Sequence, residues 1–289
     1  MEDTIFAGLR SFGLQGAGGA KVYGNGGGSG DAGKPEGGGG GESGDAQAHI
    51  KRNVYMKKFV CPVCGRETQS PAVKSSGVRL IRKDTDFMPC YKEPNPLYYF
   101  VAFCRHCGFA SPPANMKNLT QRQKALIREK ISSSWKFEKE YPAVYTPEIA
   151  IEIHKLALYN AVVSEDRESL RAIISLHIGW LYRIAGDDAS EKTFLATALE
   201  GFSRAYEKER GSVGGMDKAS QQYLIGELMR RTGNLFGALK WFKMAMLDRS
   251  ARLSVKEMAR DQKDLIMGIY EASKRGAAPD GADRDGMTD

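Results

Sequence analysis

The sequence predicts an α+β protein that is mostly helical, with a small β ribbon followed by helical hairpins. Two Cys-x-x-Cys-Gly motifs, with 39 residues between Cys64 and Cys104, stand among short apolar and β-branched runs of the kind that form strands. From about Met116 the apolar residues recur at helical spacing instead. Small and aromatic residues then repeat in a degenerate pattern through the C-terminal half, which favours paired helices.

Composition divides the chain into four segments. Residues 1–50 hold 17 of the 33 glycines and are predicted to be a disordered glycine-rich arm, because they cannot bury enough apolar surface to offset their ordering entropy. Residues 51–115 are the predicted ribbon module, 116–274 the helical domain and 275–289 a disordered tail. Five apolar residues of the arm could dock on a partner or on the protein itself, although a disordered terminus is the expectation: Ile5, Phe6, Leu9, Phe12 and Leu14.

The two cysteine motifs predict a metal site. They read CPVCG at residues 61–65 and CRHCG at residues 104–108. Glycine after the second cysteine permits the positive φ that turns backbone N–H groups toward sulfur. Two such turns supply four thiolates in a closed tetrahedral shell, which is typical of structural zinc and leaves no position for water or substrate. The ribbon is therefore expected to be a zinc ribbon with one structural Zn²⁺ per chain, bound by Cys61, Cys64, Cys104 and Cys107.

Other interpretations of the cysteines remain open at this point. The four could be merely buried or could form two redox dithiols, but two copies that both end in glycine favour metal. Cys90 lies in the insertion between the motifs; it could replace a ligand, and a half-buried thiol is the expectation. His106 lies inside the second motif, where the side chain usually faces outward, and is not counted as a ligand.

Two runs inside the ribbon region are predicted strands. Residues 77–82 mix β-branched, apolar and basic side chains, as a half-exposed strand does. Residues 96–103 are apolar and aromatic and are predicted to be the central strand of a small antiparallel sheet. Their rings could stack on bases, but we expect them to fill the small core around the metal: Tyr98, Tyr99, Phe100 and Phe103.

The helical part opens with two N-terminal caps. Thr120 and Gln123 match a capping box, which predicts a helix from there through Tyr141. Thr146, followed by Pro147, predicts a second helix to about Val163. His154 lies beside the apolar stripe of this second helix, and it is given no catalytic role because a lone helical histidine is usually packing or surface.

Two degenerate repeats predict helical hairpins, and a final helix is predicted over residues 254–272. In the later repeat, Gly233 ends one helix and Asn234 caps the next, while Gly226 allows the two helices to approach closely. The earlier repeat has Gly179 and Gly186 in the matching places. The spacing resembles the tetratricopeptide repeat (TPR), although its tryptophan position is not matched; an ordinary helical bundle is the alternative. The helical domain is thus predicted to be TPR-like.

The order of these features resembles a known bacterial family. The segments CPVCG, VRLIRKDTDFMPCYKEPNPLYYFVAFCRHCGFA and YLIGELMRRTGNLFGALKWFKMA, in that order, are similar to the uncharacterised family labelled domain of unknown function 2225. The similarity covers about residues 55–272. It implies a cytoplasmic bacterial zinc-ribbon protein with a TPR-like C-terminal part, and it implies no catalytic residues.

Charge and motifs limit the possible functions. Residues 51–140 carry 18 basic and 7 acidic groups, while residues 1–50 and 141–289 have net charges of −3 and −1. No Gly-rich phosphate loop, Gly-x-Ser-x-Gly elbow or His-Glu-x-x-His helix is present, so we expect that the protein is not an enzyme and has no catalytic residue. Asp84 and Asp86 could bind a cation or act in acid–base chemistry, but aspartate more commonly forms turns.

Two functions are consistent with these features. The expected one is a non-enzymatic adaptor, with a zinc head and a helical platform for a protein or peptide partner, tested by changes near Tyr223, Met229 and Trp241. The alternative is a nucleic-acid-binding regulatory protein whose basic zinc module binds RNA or DNA weakly, tested at Arg79 and Arg82. No apolar run of about 18 residues and no secretory signal is visible, so we expect no membrane span and a cytoplasmic location.

Overall fold

A computed structural model of the chain describes residues 5, 6, 8–23 and 44–276. The chain divides into two compact units, Met1–Gly215 and Met216–Asp289. The predicted boundary between residues 115 and 116 therefore falls inside the first unit. The predicted fold class is confirmed, because the described residues are mostly helical and their strands are short antiparallel pairs.

Among the described residues of the first unit, six short strands form three separate two-stranded antiparallel pairs. The pairs are β1 with β2, β3 with β4, and β5 with β6. Their bounds are β1 Val54–Val60, β2 Glu67–Val73, β3 Arg79–Lys83, β4 Pro89–Lys92, β5 Ala102–Phe103 and β6 Ala110–Ser111.

The prediction of a long central strand over residues 96–103 is wrong. Pro96–Tyr99 form a 3₁₀ helix, because the side chain of Asn95 accepts a hydrogen bond from the Leu97 amide (3.0 Å) and so caps a helical turn. Only Ala102–Phe103 pair as a strand. Three of the four aromatic residues expected in the core are buried, Tyr98, Tyr99 and Phe103. Phe100 is half-buried and packs on His154 and His177 of the helical part.

Eight α-helices lie in the described part of the chain. The first five belong to the first unit and the last three to the second. Their bounds are α1 Gly44–Asn53, α2 Gln121–Ile127, α3 Pro147–Val163, α4 Glu168–Ala185, α5 Asp188–Lys208, α6 Lys218–Arg231, α7 Leu235–Leu247 and α8 Leu253–Gly276.

The predicted helix from Thr120 to Tyr141 is shorter than expected. Its capping box is present, since the Thr120 hydroxyl and the Gln123 amide accept each other's backbone N–H (3.2 and 3.0 Å). The helix then widens into a π turn at Arg128–Ser132 and ends. Trp135 and Phe137 follow two residues apart and stack in parallel, with ring centroids at 5.9 Å, a spacing that suits an extended chain rather than a helix.

The caps and close approaches predicted for the helical hairpins are present. Thr146 caps α3 through the Ile149 amide. Between α6 and α7, Gly233 adopts φ 97° and the Asn234 side chain accepts from the Gly237 amide (2.8 Å). A Cβ at Gly226 would lie 2.9 Å from the ring of Phe242, so glycine is what lets α6 and α7 meet.

Part of the arm that was predicted to be disordered is ordered on the first unit. We call residues 8–23 the strap; they contain two 3₁₀ helices, Leu9–Phe12 and Gln15–Gly19. The strap inserts a row of apolar side chains into the first unit, and this burial offsets the ordering entropy that its glycine content implied. The buried residues are Leu9, Phe12, Leu14, Ala17, Val22 and Tyr23. Residues 24–43 and 277–289, and the predictions made for them, lie outside the described residues.

Candidate metal centre

The two cysteine motifs form the turns of two hairpins. The first knuckle, residues 61–65, connects β1 to β2, and the second knuckle, residues 104–108, connects β5 to β6. The two knuckles have the same pair of backbone hydrogen bonds (2.7–3.0 Å). The N–H of the first cysteine donates to the carbonyl of the second residue after the second cysteine, and the glycine N–H donates to the carbonyl of the first cysteine. Gly65 and Gly108 adopt φ 74° and 73°, which is the positive φ that their motif predicted.

Folding brings all four predicted ligands together. The sulfur atoms of Cys61, Cys64, Cys104 and Cys107 lie within 4.8 Å of one another. Across the two knuckles, the Sγ–Sγ distances are 3.6 Å for Cys61–Cys107 and 3.7 Å for Cys64–Cys104. Four sulfurs bound tetrahedrally at about 2.3 Å from one ion would be roughly 3.8 Å apart. The cluster therefore has the size and shape to hold a metal ion.

The two nearby residues that were not counted as ligands lie outside this cluster. Cys90 lies on β4 and is half-buried, as expected. His106 is exposed to solvent within the second knuckle. Neither side chain belongs to the group of sulfurs at metal-binding distance.

Burial and mutual hydrogen bonding determine the acidity of the thiols. Cys61, Cys104 and Cys107 are buried, and Cys64 is half-buried. Hydrogen bonds from Cys107 and Cys61 lower the pKa of Cys104 below its usual range. Hydrogen bonding to Cys104 and Cys61, together with burial, raises the pKa of Cys107. The cluster alone thus favours shared protons, and four thiolates in this space require a cation to balance their charge.

A segment after α2 holds both knuckles from outside. The Arg128 guanidinium donates two hydrogen bonds to the carbonyl of Val63 in the first knuckle (2.8 and 2.5 Å). In the second knuckle, the Ser132 hydroxyl donates to the Cys107 carbonyl (2.9 Å). We call residues 128–135 the clamp segment. These contacts were not predicted from the sequence, because a continuous helix was expected there and no motif marks a donor to a distant carbonyl.

Trp135 ends the clamp segment against the second knuckle. Its indole N–H donates to the Arg105 carbonyl (2.8 Å), and its ring covers Gly108 so closely that any Cβ there would collide with it. On α3, the Asn160 amide donates to the Gly108 carbonyl (3.0 Å). The second knuckle is therefore fixed by both the clamp segment and the helical part of the first unit.

Asp84 and Asp86 anchor the β3–β4 turn to α4. The Arg183 guanidinium bonds Asp86 at 2.6 Å and Asp84 at 2.8 Å, and it also bonds Glu191 at 2.7 Å. The Trp180 indole N–H donates to the fully buried Asp86 (2.9 Å). Burial opposes the charge of Arg183, but its bonds with Asp86 and Glu191 outweigh burial and raise its pKa. These contacts favour the structural role for both aspartates.

His154 is buried in α3 beside a second histidine. Its Nδ1 lies 2.7 Å from the Ala150 carbonyl, and burial lowers its pKa to about 4. His177, whose ring centroid is 6.3 Å away, has its pKa lowered to about 3 by burial and by the charge of His154. Both rings pack against Phe100, as a core histidine does.

The fold and the cysteine cluster together define a class of protein. It is a mostly helical α+β protein whose strand region carries four cysteines able to hold a metal ion. A family model described as "Uncharacterized protein conserved in bacteria (DUF2225)" matches residues 54–266, and the chain belongs to that family. The comparison with curated proteins finds no match, and neither does the comparison with solved structures. The matched residues begin at β1 and end within α8, so the strap lies outside them.

Proposed function

We propose that the protein is a non-enzymatic adaptor, in which one structural Zn²⁺ holds the four-cysteine head and TPR-like helices present a surface to a protein partner. The observation that carries the proposal is the compact group of four sulfurs, with Sγ–Sγ distances of 3.6 and 3.7 Å. Four thiolates in a tetrahedron suit Zn²⁺ and leave no coordination position for a substrate. Thiolate ligands also persist best in a reducing compartment, which supports a cytoplasmic location.

The second unit supplies the proposed partner surface. Its α6–α7 hairpin packs through Gly226 and Phe242, which supports the TPR-like description. On α8, Leu265 and Ile269 are 48% and 46% exposed, and residues four apart lie on the same helical face. Exposed apolar side chains grouped in this way are typical of a surface that binds an apolar face of another protein. Tyr223, which the sequence analysis assigned to this surface, is fully buried and cannot contact a partner directly.

Affinity capture with the tagged full-length chain, with and without nuclease, tests the adaptor proposal. The double variant Leu265→Glu, Ile269→Glu should lose the captured protein, because it places charge on the apolar face. The matched control is Arg260→Glu, which makes the same net charge change at an exposed position on the opposite side of α8. Capture that is lost with nuclease, or is equal in the double variant and wild type, would contradict the proposal.

The exposed basic strand β3 supports the second candidate, a protein that binds nucleic acid weakly. All five residues of β3, including Arg79 and Arg82, are exposed. Basic side chains bind phosphates by releasing counterions, so affinity must fall as salt rises. The double variant Arg79→Glu, Arg82→Glu should weaken binding to RNA or DNA and flatten its salt dependence. Tight binding to RNA or DNA at physiological salt that these changes abolish would make this the leading function.

A further inference from the structure

The strap lies on the first unit in the manner of a bound peptide. Phe12 is buried and stacks on Trp135, with ring centroids 5.0 Å apart, and the Lys139 ammonium lies 4.8 Å from the centre of its ring. The Lys136 amide donates to the Phe12 carbonyl (2.9 Å). Phe6, just before the strap, meets Tyr159 of α3 edge to face at 5.3 Å. Inserted rings and few backbone bonds are typical of side-chain anchoring in a groove.

Tyr23 forms a second anchor at the other end of the strap. The guanidinium groups of Arg171 and Arg204 lie 5.1 and 5.5 Å from the centre of its ring. Arg171 also donates to the Val22 carbonyl (2.6 Å). The Tyr23 hydroxyl is buried against Gly201 and has no hydrogen-bond partner among the described residues. A buried hydroxyl without a partner weakens binding, so this anchor holds the strap less tightly than a phenyl ring would.

The strap is covalently connected to the rest of the first unit, so its docking is an intramolecular binding step. Twenty residues, 24–43, connect Tyr23 to Gly44, and eleven of them are glycine. A covalent link of this length keeps the strap at high effective concentration near its groove. The occupant of the groove is thus a segment of this chain.

Trp135 connects the strap to the metal centre. The same indole that stacks on Phe12 donates to the Arg105 carbonyl and covers Gly108 of the second knuckle. Cys104 and Cys107 of that knuckle are two of the four ligands. The position of the second knuckle therefore determines the position of Trp135, and Trp135 is the surface on which Phe12 docks.

We propose that the strap is a tethered ligand of the first unit whose docking is linked to metal occupancy of the four cysteines. Bound metal fixes the second knuckle and Trp135, and this holds the strap in its groove. Loss of the metal releases the strap and uncovers the apolar groove beside Trp135 and Tyr159. Linkage is reciprocal, so the docked strap must also tighten metal binding by the same factor. The inference depends on the proposed metal site but not on the adaptor role.

The reciprocal effect gives a test with the full-length protein. Zn²⁺ content is measured first, so that absence of the metal is recognised as failure of the metal assignment alone. Phe12→Ala should then speed hydrogen exchange of residues 8–23 and weaken Zn²⁺ affinity at least about fivefold, measured by competition with a chromophoric chelator. The matched control is Phe236→Ala, which removes a phenyl ring that is 83% exposed in the second unit and should change neither quantity.

A second variant separates linkage from general destabilisation. Tyr23→Phe removes the unpartnered hydroxyl, so it should slow hydrogen exchange of the strap and tighten Zn²⁺ binding, a gain that damage to the fold cannot produce. Removing Zn²⁺ from the wild type should speed exchange in residues 8–23 while α4 and α5 stay protected. The proposal is overturned if Phe12→Ala frees the strap without changing Zn²⁺ affinity. It is also overturned if both Phe12→Ala and Tyr23→Ala leave the strap protected.

Discussion

At the scale of single residues, buried charge is balanced by specific partners. Asp86 is fully buried, and its carboxylate receives hydrogen bonds from Arg183 and Trp180. Asp84, whose side chain is 26% exposed, shares Arg183 but remains in contact with water. Removing one partner of a buried ion pair leaves the other charge uncompensated, whereas a partly exposed partner can be replaced by solvent.

This difference predicts unequal effects of two similar substitutions. Asp86→Ala should lower the free energy of unfolding by ~3–5 kcal/mol, because it leaves Arg183 buried with less compensation. Asp84→Ala is the matched control and should cost clearly less. Chemical denaturation of the two full-length variants measures both values. Equal costs would show that the contacts of Arg183 with Asp86 are not what anchors the β3–β4 turn.

The buried histidine His154 makes stability depend on pH. Its pKa is about 4 in the folded protein, against about 6.5 in the unfolded chain, so the unfolded state binds the proton first as pH falls. Its contribution is fully present above pH ~6.5, is lost progressively on acidification and levels off near pH ~4, amounting to about 3 kcal/mol. His154→Leu should therefore weaken the pH dependence of unfolding in this window, and the part that remains is expected from the buried His177, whose pKa is lowered to about 3.

At the scale of elements, local patterns were predicted well and long-range contacts were not. The two knuckles and the caps at Thr120, Thr146 and Asn234 were predictable because each is specified within a few neighbouring residues. The prediction that the helix reaches Tyr141 was wrong, because the residues after α2 form hydrogen bonds with the distant knuckles instead. The strap was missed for the same reason: its apolar residues find their groove only in the folded first unit.

The clamp segment gives a prediction at this scale. Arg128→Met keeps the aliphatic stem but removes both hydrogen bonds to the Val63 carbonyl in the first knuckle. Loss of a contact that orients metal ligands typically lowers metal affinity about 10- to 100-fold, and we expect a Zn²⁺ affinity loss in this range. Lys130→Met, at an exposed position two residues away, is the control and should bind Zn²⁺ as the wild type does. Unchanged affinity for Arg128→Met would mean that the knuckle holds its shape alone.

At the scale of the whole molecule, the head and the first helices share a unit. The Asn160 amide bonds Gly108, and Tyr99 stacks on Tyr145 at 5.2 Å, so the ribbon packs directly on the helical part. A ribbon module separate from the helical domain was predicted from the sequence, because no local sequence pattern shows which face of α3 is covered. Metal binding should accordingly stabilise more than the hairpins that carry the cysteines.

We therefore expect removal of the metal to destabilise both the cysteine hairpins and α3. A chelator should lower the thermal stability of the first unit, with loss of hydrogen-exchange protection in residues 54–111 and also in α3. The second unit, described from residue 216 to residue 276, should keep its protection. Loss of protection confined to the cysteine hairpins would show that α3 folds independently of the head.

Elemental mass spectrometry of the purified chain decides whether the four cysteines hold a metal. We expect one zinc per chain, because four sulfurs within 4.8 Å of one another form one tetrahedral site. Cys61→Ser and Cys107→Ser should each lose the zinc, whereas Cys90→Ser, which changes a half-buried thiol outside the cluster, should keep it. Stoichiometric zinc retained in Cys107→Ser, or a wild-type protein that holds iron or no metal, would contradict the account.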